Sequence, residues 1–362
     1  MKIPFNNFVR HYAVLEDEIT AAVQRVFKSG WYVLGPEVSS FENELAAYLG
    51  SRHVVGVASG TEAIALALMA LDVGSGDEVI TTAITAYPTI TGIEMTGATP
   101  VIADISMANG LIDPGAIEKA VTKRTKAVLP VHLYGQCCDM NAIKSIAEKY
   151  KLAVIEDCAQ SCGAKYNGRH TGTIGICGCF SFYPTKNLGA YGDAGAICTD
   201  DSELAEKLKR MRNYGQSSRY RHDSKGINSR LDEMQAAVLR AKLSRLEAWN
   251  SRRIEIAEAY DRIIPWEYRL KYPENSRNVF HLYPILVPDR TRFMALMEER
   301  GVQTLIHYPI PTHLQKAFTG KTSGCVNAIS FADRVVSLPI YPELTDEEVR
   351  HVAESCVLSL GA

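Results

Sequence analysis

The fold is decided by residues 154–199, which read VIEDCAQSCGAKYNGRHTGTIGICGCFSFYPTKNLGAYGDAGAICT. A first apolar run ends in the acidic pair Glu156 and Asp157, and a second one leads through an aromatic segment to Lys186. Proteins of the α/β class keep their ligand sites at strand ends. A lysine in such a place can form a Schiff base with a carbonyl compound. The stretch therefore predicts a carboxylate and an amine at the ends of strands.

The composition excludes several classes of protein. The chain has 362 residues, of which 46% are hydrophobic and 22% charged, with a net charge of −2. These values are typical of a globular protein with two domains, and no basic field favours nucleic acid or an anionic membrane as partner. The N-terminus lacks the apolar core of a signal peptide, and no apolar run approaches about 20 residues. We therefore expect a cytoplasmic protein.

The nine cysteines predict no metal site. They are clustered, but no Cys-x-x-Cys pair with the spacing of a zinc site is present. We interpret them as reduced thiols that serve as small buried residues.

From His53 onward, apolar strand-like runs alternate with helical patterns. Two earlier helical patterns, at residues 13–28 and 39–49, are interpreted as packing elements. Alternation of this kind predicts an α/β fold with a mostly parallel sheet that is covered by helices on both faces. The seven predicted strands are 53–57, 79–82, 100–105, 127–132, 152–156, 178–183 and 195–199.

The composition changes after this region. Residues 214–230 are polar, aromatic and basic, which predicts a loop at a surface or subunit interface. Residues 231–264 then have the pattern of one long helix. We place a domain boundary inside that helix, with a large domain at 1–245 and a smaller C-terminal α+β domain at 246–362.

Asp157 and Lys186 each have an ordinary explanation and a chemical one. A carboxylate at a buried strand end is costly unless it meets a cation, such as a pyridinium nitrogen. The same Asp157 is equally consistent with a helix N-cap. Lys186 is most simply an exposed lysine, but the aromatic run before it and the glycines after it would desolvate its amine and lower its pKa.

The turn Ser59-Gly60-Thr61 lies between a predicted strand and a predicted helix. Free N–H groups and the helix dipole make such a turn an anion site, although many α/β proteins contain one. Ser181 would offer a hydroxyl to a phosphate group bound at this anion site. An acid for a ring nitrogen, a phosphate turn and a lysine for an aldehyde are the three attachments of pyridoxal 5′-phosphate (PLP).

Several ordered motifs carry a resemblance to a known family. They are SGTEA, GDEVI, GATPV, EDCAQ, SFYPTKNLGAYGDAGA and GINSRLDEMQAA. This set resembles the DegT/DnrJ/EryC1/StrS family, whose members are fold-type-I, aspartate aminotransferase-like, PLP-dependent aminotransferases of nucleotide-linked keto sugars. The segments FKSGWYVLGPEV and IHYPIPTHLQKAF are similar to enzymes that aminate C3 of dTDP-3-keto-6-deoxyhexoses.

The resemblance assigns roles to the cofactor-binding residues. It implies that Lys186 forms the Schiff base with PLP and that Asp157 pairs with the pyridine nitrogen. Gln160 would contact the ring hydroxyl. Gly60 and Thr61 would hold the phosphate through backbone and hydroxyl.

Three further contacts with PLP are implied in the same way. Ser181 would add a second hydroxyl to the phosphate. Asn228 would reach the phosphate in the neighbouring subunit, so that the active sites exist only in a homodimer. Many relatives stack an aromatic residue on the ring where this chain has Thr85-Ala86-Tyr87, and Tyr87 is included as that contact although it is displaced by one position.

Substrate contacts are expected from polar aromatic residues. Tyr183, His307 and Tyr308 would line the hexose, although a structural role for His307 is equally consistent with the sequence. Arg219 and Tyr220 would meet the nucleotide diphosphate, and a solvated surface charge is the simpler explanation of Arg219.

The sequence thus predicts an aminotransferase that moves the amino group of L-glutamate to a dTDP-linked 3-keto-6-deoxyhexose, for glycan or antibiotic biosynthesis. One alternative is amination at C4 of a UDP- or dTDP-4-keto sugar. Another is a regulator that has the fold without the activity. A dehydratase with the same fold would be expected to have another residue at the position of Lys186, so the lysine argues against a dehydratase.

Overall fold

The computed structural model of the protein describes residues 1–361. From β1 to β5, strands and helices alternate along the chain as the sequence pattern predicts. The helices are α1 (Phe8–Ala13), α2 (Glu16–Ser29), α3 (Pro36–Leu49), α4 (Gly60–Ala70), α5 (Pro88–Glu94), α6 (Pro114–Ala120), α7 (Met140–Tyr150), α8 (Ser202–Met211), α9 (Glu233–Leu243), α10 (Leu246–Ile263), α11 (Arg290–Glu299), α12 (Val326–Arg334) and α13 (Asp346–Leu360). The strands are β1 (His53–Val57), β2 (Glu78–Thr82), β3 (Thr99–Ala103), β4 (Thr125–Leu129), β5 (Ala153–Asp157), β6 (Lys165–Tyr166), β7 (Arg169–His170), β8 (Cys177–Ser181), β9 (Gly195–Thr199), β10 (Gln216–Ser218), β11 (Arg221–His222), β12 (Ser276–Arg277), β13 (Tyr283–Leu286), β14 (Lys321–Thr322) and β15 (Val335–Leu338).

One large sheet organises the fold, with the strand order β1-β9-β8-β5-β4-β2-β3-β14. Only β9 runs antiparallel to its neighbours, β1 and β8, so the predicted mostly parallel sheet is confirmed. All seven predicted strands are present. The eighth strand, β14, pairs with the edge strand β3 and comes from the C-terminal region. It has two exposed residues, too few for a periodic signal in the sequence.

The central strands and the helices on them form because each buries an apolar surface. Every residue of β2 and of β9 is buried, which fits strands covered on both faces. Helix α4 buries seven of its eleven residues, and Ser59, directly before it, is the N-cap residue, whose side chain accepts from the N–H of Glu62. The chain therefore enters α4 directly from β1, and this places the turn at the carboxyl edge of the sheet.

The predicted long helix is wrong, because the structure contains two helices, α9 and α10, with a break at residues 244–245. The Ser244 hydroxyl donates back to the carbonyl of Ala241, which satisfies one of the last acceptors of α9. The two helices also bury their apolar faces in different places. Helix α9 packs on α2 and α3, whereas α10 packs on α13. One straight helix could not serve both contacts.

A second hydrophobic core lies in the C-terminal region. It is built around α10, α11, α13 and the strand pair β13–β15, with Tyr260, Tyr283 and Phe293 among its buried residues. The break between α9 and α10 falls where we predict the domain boundary, at residue 245. Helix α12 nevertheless packs into the core of the large sheet, since Phe331 and Ala328 belong to that cluster. The two-domain division stays a prediction.

Two observations concern the predicted cellular context. All nine cysteines are free and buried, as expected of thiols that serve as small packing residues. None of the helices in residues 1–361 combines the length and the apolar composition needed to cross a bilayer.

Candidate active site

A cavity of about 400 Å³ opens at the carboxyl ends of β1, β2, β5 and β8, where the C-terminal region covers the sheet edge. This is the place where α/β folds bind ligands. The structure brings nine of the predicted residues to this cavity. They are Gly60, Thr61, Asp157, Gln160, Ser181, Tyr183, Lys186, His307 and Tyr308.

Lys186 lies in the loop that follows β8, where its N–H bonds the carbonyl of Tyr183. The side chain is not the exposed surface lysine of the simpler explanation. It is partly reachable from the cavity, but protein atoms surround its amine. This desolvation lowers the pKa of Lys186 to about 8, although the charge of Asp157 acts in the opposite direction. A fraction of the amine is therefore neutral, and nucleophilic, near neutral pH.

Asp157 is the last residue of β5, and no helix follows it, so it is not a helix N-cap. Its Oδ1 accepts from the N–H of Ala159 at 3.0 Å, and its Oδ2 accepts from the hydroxyl of Thr89 at 2.8 Å. Burial raises the pKa of Asp157, while these bonds and Lys186 lower it. Within residues 1–361 the carboxylate forms no ion pair. A cationic ring nitrogen would compensate it.

Thr89 is a contact that the sequence reasoning missed. It is buried at the start of α5, and its hydroxyl is also bonded to that of Thr85 at 2.9 Å. Both threonines line the cavity. Both threonines come shortly after β2, so they lie at the same sheet edge as Asp157. This position in the sequence could have predicted them as site residues.

The start of α4 forms an anion cradle. Ser59 caps Glu62, which leaves the N–H groups of Gly60 and Thr61 without a hydrogen bond anywhere in the described chain. A Cβ on Gly60 would lie 2.7 Å from the Cβ of Ser181, so only glycine lets the turn and this hydroxyl approach each other. Two free N–H groups, a helix dipole and hydroxyls suit a phosphate group.

Gln160 ties the C-terminal region to the sheet edge. Its Oε1 accepts from the N–H of Tyr134 at 2.7 Å, and its Nε2 donates to the hydroxyl of Tyr308 at 3.0 Å. The hydroxyl of Tyr134 in turn donates to the carbonyl of His307. His307 also bonds Ser337 at 3.0 Å, and burial together with Lys186 lowers its pKa to about 4. The imidazole is thus anchored, neutral and part of the cavity wall.

His281 is a second contact that the sequence reasoning missed. It is buried and lines the cavity. The amide nitrogen of Asn187 donates to Asn250 Oδ1 and to the carbonyl of Val279, so Asn187 Oδ1 must accept from His281 Nδ1–H at 3.2 Å. Burial holds the pKa of His281 well below its usual value. Its Nε2 is therefore a hydrogen-bond acceptor. No local pattern marks this histidine, because its partners are distant in sequence.

Tyr87 is not brought to the cavity. It precedes α5 and packs against the core, with a buried hydroxyl that has no hydrogen-bond partner in residues 1–361. Its neighbours Ala86 and Pro88 line the cavity instead. The placement gives no support to stacking by Tyr87, which stays a prediction.

Asn228, Arg219 and Tyr220 also lie away from the cavity of their own chain. Asn228 lines a separate cleft of about 530 Å³, and Asp193 is shared between that cleft and the cavity. Arg219 and Tyr220 are exposed at the tip of the β10–β11 hairpin, where the guanidinium stacks on the ring at 5.1 Å. Their predicted contacts with cofactor and substrate stay predictions.

One cluster has the composition of a metal site. Ligand atoms of His132, Glu156 and Cys158 lie within 4.8 Å of one another and are buried. The carboxylate of Glu156 is already engaged, however. It accepts from His132 Nε2 and from the N–H groups of Gly172, Ile174 and Gly175. These bonds lower the pKa of Glu156 despite its burial, and they hold the segment 172–175 against β5.

The fold and the cavity together define a fold-type-I PLP enzyme. A mostly parallel sheet presents a lysine with a lowered pKa, an uncompensated buried carboxylate and a phosphate cradle at one edge. The sequence profile of the DegT/DnrJ/EryC1/StrS aminotransferase family matches residues 14–357, and the chain belongs to that family. It is a PLP-dependent transaminase.

Relatives with known names are similar over nearly the whole chain. One, dTDP-3-amino-3,6-dideoxy-alpha-D-galactopyranose transaminase of Aneurinibacillus thermoaerophilus, is 47% identical, with 98% of each chain covered. Another, UDP-N-acetyl-3-dehydro-alpha-D-glucosamine 3-aminotransferase of Acidithiobacillus ferrooxidans, is 42% identical over 97% of this chain and 96% of its own. The crystal structure of S. venezuelae DesV in complex with a ketimine intermediate superposes with a TM-score of 0.96 at 42% identity, covering 99% and 98% of the two chains.

Proposed function

We propose that this protein transfers the amino group of L-glutamate to C3 of a dTDP-linked 3-keto-6-deoxyhexose. The product would be a 3-amino-3,6-dideoxy sugar nucleotide for glycan or antibiotic biosynthesis. The main support for transamination is that Lys186 and Asp157 line the same cavity. The names of the relatives support the sugar and its C3 position.

The proposal gives each residue of the cavity a task. PLP supplies an electron sink for the carbon that loses a proton. Asp157 holds the ring nitrogen, while Gly60, Thr61 and Ser181 hold the phosphate. Lys186 Nζ takes the proton from the α-carbon of the donor, for which a pKa of about 8 suits an amine that works near neutral pH.

The sugar and the nucleotide have separate places in the proposal. The polar aromatic side chains of Tyr183, His307 and Tyr308 face the hexose. Arg219 and Tyr220 contact the nucleotide diphosphate, and Asn228 contacts the phosphate of the neighbouring subunit's cofactor. The protein is accordingly proposed to act as a homodimer in the cytoplasm.

The proposal is tested with a panel of dTDP- and UDP-linked 3-keto and 4-keto sugars, each incubated with L-glutamate. Mass and NMR analysis of the product identifies the aminated carbon. Conversion of the dTDP-3-keto sugar is the expected result. A UDP-linked 3-keto sugar is the second candidate, because the Acidithiobacillus relative is named for such a substrate. If this sugar is converted faster, UDP takes the place of dTDP in the proposal. Amination only at C4 would refute the proposal.

The variant Lys186→Ala tests the mechanism. It should bind a sugar nucleotide but lose turnover, because no other amine lines the cavity in residues 1–361. Lys123→Ala, at an exposed position, is the matched control and should keep full turnover. Retained turnover in Lys186→Ala would contradict the proposed role of this lysine.

A further inference from the structure

His281 lies where the active-site cavity meets a second space of about 230 Å³, and it lines both. The residue is only 7% exposed. Its Nε2 has no hydrogen-bond partner within residues 1–361, but it is not shut off from solvent, as the unpartnered Nδ1 of His313 is. Nε2 is therefore open to a molecule in these two spaces.

Backbone carbonyls fix which nitrogen of His281 carries the proton. The carbonyl of Val279 can only accept, so the Asn187 atom that lies 2.9 Å from it is the amide nitrogen. The amide nitrogen of Asn250 likewise donates to the carbonyl of Cys162 at 3.0 Å, which leaves Asn250 Oδ1 to accept from Asn187 at 2.8 Å. Both hydrogens of the Asn187 amide are thus used, and its Oδ1 accepts from His281 Nδ1–H at 3.2 Å. These amides hold the proton on Nδ1, and Nε2 can only accept.

The imidazole of His281 is also neutral. Burial holds its pKa well below the usual value, and the charge of Lys186 acts in the same direction. The effect of Lys186 shows that the two side chains are close enough for their charges to interact. The structure therefore places a neutral hydrogen-bond acceptor near the amine of Lys186. A buried acceptor without a donor is costly, so its presence calls for a donor on a ligand.

The two proposed substrates differ in the donors that they offer. L-Glutamate brings its amine to the cofactor, whereas the keto sugar keeps its hydroxyl groups free. Lys186 is proposed to act at the reacting carbon. The hydroxyl groups nearest to that carbon are those on the adjacent ring carbons. The keto sugar is thus the substrate that suits a free acceptor near Lys186.

We propose that His281 Nε2 accepts a hydrogen bond from a hydroxyl group of the keto sugar, on a ring carbon beside the ketone, and so selects sugars that carry this hydroxyl. This inference rests on the proposed transamination and adds a specificity-determining residue to it. Asn187, which directly follows Lys186, is the positioning residue that fixes the tautomer. A site that binds a hydroxyl discriminates against an analogue without it, because the buried acceptor is then left unpaired.

The tautomer is tested first, by NMR of PLP-loaded protein that is isotopically labelled at the histidine nitrogens. The signals of His281 are identified by their loss in His281→Asn. The expected result at neutral pH is a proton on Nδ1 and none on Nε2. A proton on Nε2 would overturn the inference, because Nε2 would then be a donor. This measurement needs neither sugar nor turnover.

Calorimetry then compares three unreactive sugars. One is a dTDP-linked 6-deoxyhexose with a hydroxyl in place of the ketone, and the others are its analogues without the C2 or the C4 hydroxyl. The unaltered PLP-loaded protein should bind the complete sugar about 3- to 10-fold more tightly than one of the two analogues, the difference expected for one hydrogen bond between neutral groups. If the sugar panel favours UDP, the same sugars are linked to UDP.

Two variants of His281 separate its two nitrogens. The side chain of His281→Asn has an amide N–H near the position of Nδ1 and no atom at the position of Nε2. It should keep the bond to Asn187 and bind the complete sugar and the deoxy analogue equally. His281→Gln offers an acceptor near the position of Nε2 and should restore part of the difference. In turnover, His281→Asn should lose more kcat/KM for the keto sugar than for glutamate.

His53→Asn is the matched control. His53 is the first residue of β1, at the opposite edge of the sheet, and its ring bonds the hydroxyl of Ser202 at 2.9 Å. This variant should discriminate between the three sugars as the unaltered protein does.

Three further results would overturn the inference. The first is equal binding of all three sugars by the unaltered protein, which needs no variant. The second is unchanged discrimination in a folded His281→Asn protein. The third is an equal loss in both half-reactions, which would show that His281 acts on Lys186 and not on the sugar. Amination only at C4 in the sugar panel would instead refute the proposed substrate. The tautomer does not depend on the substrate, so the two failures are distinguishable.

Discussion

The hydrogen bond from Thr89 to Asp157 should control how the stability of the cofactor-free protein depends on pH. Within residues 1–361, the carboxylate of Asp157 accepts two hydrogen bonds, from Thr89 at 2.8 Å and from Ala159 at 3.0 Å. The perturbation is Thr89→Val, which keeps the shape of the side chain and removes the donor. Thr89→Ser keeps the donor and is the conservative comparison.

The magnitude follows from the charge of the acceptor. A hydrogen bond to a charged group contributes about 1.5–3 kcal/mol, and one pKa unit corresponds to about 1.36 kcal/mol. Removal of the Thr89 hydroxyl should therefore raise the pKa of Asp157 by a further unit or two. Because this pKa already lies above the unfolded value, folding takes up a proton, and stability falls as pH rises through the folded pKa.

Thr89→Val should accordingly destabilise the protein by about 1.5–3 kcal/mol at a pH above the folded pKa of Asp157 in both variants, where the carboxylate is charged. The loss should shrink to about 0.5–1.5 kcal/mol at a pH below the folded pKa, where the bond is between neutral groups. Urea unfolding of the cofactor-free protein at one fixed protein concentration measures both values.

Thr91→Val is the matched control on the same helix, because the Thr91 hydroxyl bonds only the carbonyl of Tyr87, at 3.4 Å. It should show no pH-dependent loss. A loss for Thr89→Val that is the same at every pH would refute the reasoning, since it would show that the hydroxyl does not act on the charge of Asp157.

Other changes test the surroundings of the site. Gly60→Ala should weaken PLP binding at least tenfold in an absorbance titration, because its Cβ would lie 2.7 Å from the Cβ of Ser181. Glu156→Gln should cost about 1.5–3 kcal/mol in urea unfolding, since it removes a buried carboxylate that accepts hydrogen bonds from His132 and from the N–H groups of Gly172, Ile174 and Gly175. The pKa of Glu156 is lowered, so this contribution should be present above about pH 4.3 and disappear as pH falls through the folded pKa. Tyr87→Phe should not lower the melting temperature, because the hydroxyl is buried without a partner in residues 1–361. Tyr87→Leu, which removes the aromatic ring, should leave PLP affinity unchanged; weaker PLP binding in that variant would support Tyr87 as a ring contact.

Short-range pattern accounts for what the sequence reasoning predicted well. Local hydrophobic periodicity predicts the alternation of strands and helices, and the N-cap at Ser59 is a contact between residues three apart in the sequence. The two errors in the fold have the same origin. The break at residues 244–245 and the two-residue strand β14 depend on what lies next to them in space, and neither has a periodic signal of its own.

The sequence by itself determined the class of fold, the lysine, the carboxylate and the phosphate turn, because each follows a strand and carries its own chemical group. Only the tertiary structure decided their properties. The donor to Asp157 is 68 residues away, and the partner of His281 is 94 residues away. The lowered pKa of Lys186 arises from burial in the assembled fold. Burial is a property of the assembled fold, and local sequence does not encode it.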